Sequence, residues 1–464
     1  MSKTFDVIIL GGGPAGYVCA IRAAQLGLQV AVVEREKLGG VCVNIGCIPS
    51  KALLHSAHMA RVITNDAAAL GINVGDVTVD YGVAMRRSRQ VADQNSKGVE
   101  YLMKKHHITV FPATGTLQPG KRVAIDGDTL TAAKAVVLAT GTRVKGIPAI
   151  GLELDRTTVI SSDEALFLEQ APKSLAIVGA GAVGMEFADV FNAFGTAVTL
   201  IEALPRILPL EDEECSAALA RSYKKRKIAM LPGASVKRAR VGKGSVKLDI
   251  EAGGKPQTLE VEKVLMAAGR AFNLDGIGLE ETGVQRTDTG FVKVDANLRT
   301  TADGVYGIGD IAGPPMLAHK GSREGVFVAE CIAGQTPHPI DYGNIPSVTY
   351  CHPEVASIGL TEAQCTERQL DFQVGKFPFT ANGRARAAIE TEGFVKIIRD
   401  KRYGEILGAH IVASHASELI HELAVARANE YTVEEVDLAV HAHPTLSEAV
   451  AEAALDSLGR VLNA

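Results

Sequence analysis

The stretch Phe5-Asp6-Val7-Ile8-Ile9-Leu10-Gly11-Gly12-Gly13-Pro14-Ala15-Gly16-Tyr17-Val18-Cys19-Ala20 decides the fold. Phe5 to Leu10 is an apolar run of strand type, and glycines break it. An alanine-rich helical segment follows to Leu26, with Gly27 as its stop. Val30 to Val33 then reads as a second strand closing on Glu34. The order strand, glycine turn, helix, strand is a βαβ unit. In the pattern Gly11-x-Gly13-x-x-Gly16, the first glycine permits a tight turn, the second lets a pyrophosphate approach the backbone, and the third lets helix and strand pack closely. The helix N-terminus offers unpaired N–H groups and a partial positive charge. Pro14 costs little at an early helical position, where the N–H has no partner. Glu34 lies 18 residues past Gly16, the distance expected of a carboxylate that holds ribose hydroxyls. One such turn also serves plain strand–helix packing, so recurrence matters.

The unit does recur, 168 residues later. Leu175 to Val178 is a strand, Gly179-Ala180-Gly181-Ala182-Val183-Gly184 the turn, and Met185 to Phe194 the helix, stopped by Gly195. Val198 to Ile201 ends at Glu202, again 18 residues past the third glycine. Two copies of one dinucleotide-binding unit predict an α/β protein with two Rossmann-like domains. A carboxylate accepts from a 2′-hydroxyl and repels a 2′-phosphate, so Glu202 predicts NAD rather than NADP at the second site, with Arg206 near enough in sequence to soften the preference. Apolar strands ending at Gly141 and Gly269 echo each other, and Gly304 to Asp310 is another strand ending in glycine and aspartate. From Asn344 onward, alternating strands (Phe394 to Arg399, Ile406 to Val412) and helices rich in Ala and Glu (Ala416 to Asn429, Leu446 to Leu458) predict a C-terminal α+β domain. The expected divisions are residues 1–149, 150–275, 276–343 and 344–464.

Composition narrows the setting. The 464 residues carry 48 Lys plus Arg against 53 Asp plus Glu, a formal net charge of −5 spread along the chain, which argues against nucleic acid as partner. No run of eighteen apolar residues is present, which argues against a membrane span. Seven cysteines, an odd count in a large chain, make a secreted disulfide framework a poor reading. The first residues run straight into a strand with no basic leader or cleavage site, so a cytoplasmic protein is expected, or a mitochondrial one already relieved of its transit peptide.

Only Cys42 and Cys47 sit close together, in Gly39-Gly40-Val41-Cys42-Val43-Asn44-Ile45-Gly46-Cys47-Ile48-Pro49-Ser50-Lys51. Thiols five positions apart can meet across a distorted helical turn, and a helix N-terminus beside Lys51 would stabilise the thiolate that attacks in dithiol exchange. Two buried, inert cysteines are the plainer alternative. A zinc site lacks a second pair at ligand spacing. Near the other end, His443 and Glu448 stand five residues apart in His441-Ala442-His443-Pro444-Thr445-Leu446-Ser447-Glu448. Histidine titrates near neutral pH and can take and return a thiol proton, while a carboxylate on its other nitrogen would fix the tautomer. The plainer alternative makes His443 a turn residue before Pro444 and Glu448 a cap, since Thr445 to Glu448 has capping-box spacing.

The segment Gly39 to Lys51 resembles the redox-disulfide motif of the class I flavin disulfide reductases, also called class I pyridine nucleotide-disulfide oxidoreductases. The whole chain resembles their dihydrolipoamide dehydrogenase branch, through Gly16-Tyr17-Val18, Met316-Leu317-Ala318-His319-Lys320, His352-Pro353-Glu354-Val355-Ala356-Ser357 and the segment from His441 to Glu448. Val41 departs from the more usual threonine, and Arg323 sits where an acidic residue is common.

The resemblance implies that Gly11, Gly13, Pro14, Gly16 and Glu34, with Gly40 and Lys51, hold FAD, and that Gly179, Gly181, Gly184 and Glu202 hold NAD, bordered by Val236 and Gly269. It carries Asp310 over as a second FAD contact, lines the flavin with Thr140, Gly141, Met316, Leu317, Ala318 and His319, and brings Gly115 to the adenine end. Lys51 and Glu186 become an ion pair between flavin and nicotinamide, where their plain readings are a solvated cation and an early-helix carboxylate. His443 and Glu448 are implied to serve the disulfide of a partner subunit, so a homodimer closed by the C-terminal domain is expected. The implied reaction passes electrons from protein-bound dihydrolipoamide, through Cys42–Cys47 and FAD, to NAD⁺. The lipoyl group would come from a 2-oxo acid dehydrogenase complex or a glycine cleavage system. Glutathione reductase is a rival within the fold, disfavoured by Ile48 to Lys51 and Glu202. Relatives with a C-terminal redox pair are disfavoured because no cysteine follows Cys365. A structural subunit of a multienzyme complex is the rival from another class.

Overall fold

A computed structural model describes residues 3–463 of the chain. Two compact units emerge, one of Met1–Ala52, Arg86–Lys145 and Gly269–Ile340, the other of Leu53–Met85, Gly146–Ala268 and Asp341–Ala464.

In the first unit the strand Lys3–Leu10 runs parallel to Val30–Val33, with Val7 opposite Val30 and Leu10 opposite Val33. On its other side it pairs in parallel with Asp128–Leu138, so it lies inside the sheet, and its last residues, Val7 to Leu10, are buried. That explains a near-continuous apolar run where a half-exposed strand would alternate. Thr109–Phe111 extends the sheet beyond Val30–Val33, and Val305–Gly307 pairs with Asp128–Leu138. One face is filled by Val7, Ile9, Val32 and Val137 with the helix Pro14–Gln25, the other by Ile8, Leu10, Val136 and Leu138. The helix Ala318–Ile332 crosses Pro14–Gln25 closely. A Cβ at Gly325 would stand 2.5 Å from the Ala15 carbonyl oxygen, so only glycine allows that approach. Arg22 and Glu330 pair across the crossing at 2.7 Å.

The second unit contains a parallel sheet in the order Ala229–Pro232, Ala197–Glu202, Ser174–Val178, Lys263–Met266, Val159–Ser161, with the helix Ala182–Ala193 between its strands Ser174–Val178 and Ala197–Glu202. Its C-terminal sheet is antiparallel, in the order Ser347–Thr349, Glu354–Gly359, Ile406–Ala413, Phe394–Asp400, Phe372–Pro378. Helices Ala416–Ala428 and Glu448–Ser457 pack on that sheet through Leu419, Ile420, Leu423, Val450 and Ala453. The α/β class with a C-terminal α+β portion is thus observed. Helix Ala182–Ala193 begins three residues before the sequence expectation, because the turn Gly179–Gly181 already supplies its N-cap. The last helix begins at Glu448 rather than Leu446, because the side chain of Glu448 reaches back to the Thr445 N–H and holds the chain in a turn until there. Among the described residues no helix is long and apolar enough to cross a membrane.

Candidate active site

The two glycine turns have the same geometry, each in its own unit. Gly11 and Gly179 have φ of 106° and 103°, values open to glycine, and each lies against a backbone carbonyl at the end of the neighbouring strand, Ala139 or Ala267. A Cβ on Gly16 would fall on the carbonyl oxygen of Gly11, and one on Gly184 on that of Gly179, so the third glycine in each copy is fixed by helix–strand packing. The middle glycines differ in kind. A Cβ at Gly13 would meet nothing nearer than the Gly40 Cα at 3.9 Å, and one at Gly181 nothing within 4 Å. Both are helix N-caps without a side-chain cap, so the first N–H groups of each helix look into open space. Backbone donors around a void that a methyl group would enter fit a pyrophosphate.

The carboxylates at the second strands complete each copy. Glu34 Oε2 accepts from the Gly12 N–H at 2.7 Å and Oε1 from the Glu36 N–H at 2.8 Å. Glu202 Oε2 accepts from Ala180 N–H at 2.7 Å and Oε1 from Leu204 N–H at 2.8 Å. Each carboxylate is therefore held against its glycine turn, and every oxygen keeps a second lone pair for a hydroxyl. Arg206 is turned elsewhere: its Nη2 donates to the Pro209 and Glu211 carbonyls, both at 3.2 Å.

Cys42 and Cys47 form a disulfide with Cα atoms 4.6 Å apart. The distortion that spacing demanded is real. Cys42 lies in the short helix Gly40–Ile45, Gly46 leaves helical geometry, and Cys47 starts the helix Cys47–Arg61. Lys51 follows one turn on, in the same helix. Asn44, not singled out by the sequence, is buried and donates from Nδ2 to the Leu38 and Gly40 carbonyls at 3.0 Å each, which holds the short helix in place. The other cysteines are free, and four of the five are buried. Burial pushes the Cys19 thiol up to about 12 and raises Cys215 and Cys351 as well, so these thiols stay protonated and inert.

In the second unit His443 Nδ1 lies 2.8 Å from Glu448 Oε1, while Glu448 Oε2 accepts from the Thr445 N–H at 2.7 Å. The cap and the histidine partner are one carboxylate. The Thr445 N–H first, and His443 next, hold its pKa below the usual range. The His443 side chain is 80% exposed, and among the described residues its Nε2 has no hydrogen-bond partner. The ring thus has one nitrogen fixed by a carboxylate and the other open.

Comparison with known proteins follows the same outline. Residues 5–325 match the family described as pyridine nucleotide-disulphide oxidoreductase, and residues 345–454 match its dimerisation domain. The chain belongs to the pyridine nucleotide-disulphide oxidoreductase family. Similar relatives include the dihydrolipoyl dehydrogenases of Corynebacterium glutamicum (43% identical, covering 100% of each chain) and Bacillus subtilis (41%, also 100% of each). Among solved structures, LpdA of Mycobacterium tuberculosis matches with a TM-score of 0.89 at 27% identity over 97% of this chain and 99% of that one. The HOCl-induced flavoprotein disulfide reductase RclA of Escherichia coli, crystallised as its Cu(II) complex, matches at 0.85 and 25% identity over 98% and 99%.

The cofactors of this pyridine nucleotide-disulphide oxidoreductase are FAD and NAD, and the remaining residues can be placed against that need. Thr140 has a buried hydroxyl with no partner, and Gly141 follows in a left-handed turn. Asp310 Oδ2 accepts from the Thr142 hydroxyl, which in turn accepts from Arg270 Nε. Thr142 and Arg270 were not anticipated. Behind that turn Glu324 Oε2 accepts from the Gly309 N–H at 2.7 Å, and Lys320 Nζ donates to the Gly309 carbonyl at 2.9 Å and to Glu324. Both side chains are 1% exposed. Their spacing of four on a helix was the available signal for Glu324. Met316 and Leu317 precede the helix that begins with Ala318 and His319. Gly115 is a packing glycine, since a Cβ there would lie 2.6 Å from the Leu10 side chain. Val236 lies in the strand Ala234–Val241, opposite Ile250, and Gly269 follows Lys263–Met266 with a positive φ. Glu186 is buried in the helix Ala182–Ala193, where Oε1 accepts from the Tyr350 N–H at 3.0 Å. Glu186 lies beyond the first turn of that helix, so its carboxylate is held by a backbone N–H rather than by the helix end.

Proposed function

We propose that this chain oxidises a protein-bound dihydrolipoyl group and delivers the electrons to NAD⁺. The observation that carries the proposal is the closed Cys42–Cys47 disulfide at a helix start, in a chain alignable end to end with dihydrolipoyl dehydrogenases. Nε2 of His443, with Glu448 on Nδ1, removes a proton from a substrate thiol. The thiolate attacks Cys42 Sγ, the bond to Cys47 breaks, and Cys47 leaves as a thiolate stabilised at the N-terminus of its helix. His443 passes its proton to the departing Cys42 sulfur and takes the second substrate thiol's proton as that sulfur attacks the mixed disulfide, so the substrate closes its own S–S bond, Cys42 is left as a thiol and His443 holds the second proton. Two electrons now reside on the cysteine pair. FAD at the turn Gly11–Gly16 with Glu34, and NAD⁺ at the turn Gly179–Gly184 with Glu202, would supply the chemistry that carries this pair onward as a hydride equivalent.

Support for the rest of the proposal is of the same kind. Gly11, Gly13, Pro14, Gly16, Glu34 and Gly40 surround the place for FAD pyrophosphate and ribose, with Thr140, Gly141, Asp310 and the segment Met316 to His319 toward the flavin. Gly179, Gly181, Gly184 and Glu202 do the same for NAD. We assign Lys51 and Glu186 to the flavin–nicotinamide junction. A homodimer would bring the partner subunit's His443 to each disulfide, in keeping with the matched dimerisation domain. The lipoylated partner would belong to a 2-oxo acid dehydrogenase complex or a glycine cleavage system. The free buried thiols fit a reducing compartment such as the cytoplasm. Anaerobic mixing of the holoenzyme with dihydrolipoamide and NAD⁺ should form one NADH per dithiol oxidised. No NADH, with FAD bound and Cys42 and Cys47 left as a disulfide, would instead favour a structural subunit.

A further inference from the structure

Gly309, the residue before Asp310, has both of its backbone groups held by one buried ion pair. Its N–H donates to Glu324 Oε2 at 2.7 Å, and its carbonyl oxygen accepts from Lys320 Nζ at 2.9 Å. That carbonyl belongs to the peptide bond leading into Asp310. Lys320 Nζ also lies 3.1 Å from Glu324 Oε1 and 3.2 Å from Oε2, so each of its protons has an acceptor. The backbone around Gly309 is tightly packed. A Cβ on Gly321 would lie 3.3 Å from the Gly309 Cα, and a Cβ on either glycine would lie 3.1 Å from the Ala15 Cβ. Ala15 belongs to the first glycine turn, and Gly321 to the helix Ala318–Ile332 that begins with the flavin-side residues Ala318 and His319. The parts of the chain assigned above to FAD therefore converge on Gly309.

Net stability does not account for this pair. Both charges lose their water on burial, and well-packed apolar side chains of similar size commonly serve a core as well or better. What the pair supplies is direction, because charge-assisted hydrogen bonds hold the N–H and the carbonyl of one residue at the same time. Asp310 shows what the direction serves. Its Oδ2 accepts from the Thr142 hydroxyl, and among the described residues its Oδ1 has no hydrogen-bond partner. We propose that Lys320 and Glu324 are positioning residues for FAD, which hold the Gly309 backbone so that Asp310 keeps Oδ1 in place for a hydroxyl of the cofactor. The inference rests on the assignment of Asp310 to FAD. Lys320 and Glu324 act through Gly309 and need not touch the cofactor.

Release of FAD from the holoenzyme, followed by the fluorescence of free FAD on dilution, tests the proposal. Lys320→Met combined with Glu324→Met removes both charges together, so neither is left buried alone, and it frees Gly309. The FAD dissociation constant should rise by about tenfold, the worth of one hydrogen bond to a charged group. Lys320→Met combined with Glu324→Gln keeps an amide oxygen for the Gly309 N–H, and the rise should fall to about threefold. Adding Asp310→Ala to either pair should cost little beyond Asp310→Ala alone, because both changes remove the same contact. Native FAD affinity in the paired variants, or losses that simply add to that of Asp310→Ala, overturns the proposal. Should the Met pair fail to fold, the pair with Glu324→Gln decides by the same comparison. Native FAD affinity in Asp310→Ala alone would instead overturn the assignment of Asp310, so the two failures are read from different variants.

Discussion

At the residue scale, Glu448 is the informative side chain. One oxygen caps the turn at Thr445 and the other orients His443, so removing it costs both geometry and tautomer. His443→Gln keeps a similar shape and loses the base. Stopped-flow oxidation of dihydrolipoamide should slow by about 10²–10⁴-fold, while NADH-driven reduction of an artificial dye stays within about twofold, because that half needs no thiol proton. Equal slowing of both would remove His443 from its role. Cofactor choice is also set by single residues. Glu202 is held against the second glycine turn by the Ala180 N–H, and Arg206 is committed to the carbonyls of Pro209 and Glu211, so no cation faces a 2′-phosphate from that side chain. We expect kcat/KM with NADH to exceed that with NADPH by at least about tenfold, about 1.4 kcal/mol of discrimination. Equal values would show that Glu202 does not select.

At the scale of the element, the two turns separate folding from binding. Gly181 faces open space and Gly184 faces the carbonyl of Gly179. Gly181→Ala should change unfolding free energy by less than about 1 kcal/mol and yet raise KM for NAD by about tenfold, because the methyl enters the space a pyrophosphate needs. Gly184→Ala should lose about 1–3 kcal/mol through forced separation of helix and strand. Urea unfolding alongside NAD titration distinguishes the two, and a similar stability loss in both variants would contradict the packing argument.

At the scale of the molecule, stability should depend on buried charge and pH. Asp189 is 1% exposed and takes Arg61 at 2.7 Å, Arg226, and the His352 N–H. Asp189→Ala would leave two guanidinium groups with little solvent, a loss of about 3–5 kcal/mol that should appear as a lower urea midpoint. In the same unit His410 is buried and His352 partly buried, and desolvation chiefly lowers the pKa of both. The unfolded chain binds their protons more readily than the folded one. Their contribution is therefore intact above about pH 6.5 and declines as pH falls below it, by up to about 2 kcal/mol per histidine near pH 5. A urea midpoint flat from neutral pH to that point would contradict the burial argument.

Much of this was legible in the sequence because it is local. Gly11 to Glu34 and Gly179 to Glu202 each complete a βαβ unit within a few dozen residues, and Cys42 to Lys51 encodes its own turn, so backbone sterics and helix-end electrostatics are enough to read them. The plain and catalytic readings of Glu448 could not be separated along the chain, because both use the same spacing, and in the fold one of its oxygens meets the Thr445 N–H while the other meets His443. Distant partners were out of reach. Glu324 bonding the Gly309 amide, Tyr350 meeting Glu186, Arg206 turning back on its own loop and His441 clamped to Glu422 each depend on which polar groups burial brings together. The sequence by itself determined the repeated nucleotide fold and the dithiol chemistry, through periodicity and short-range spacing. Only the tertiary structure decided which of two neighbouring histidines keeps a free nitrogen, because that depends on acceptors supplied by another helix.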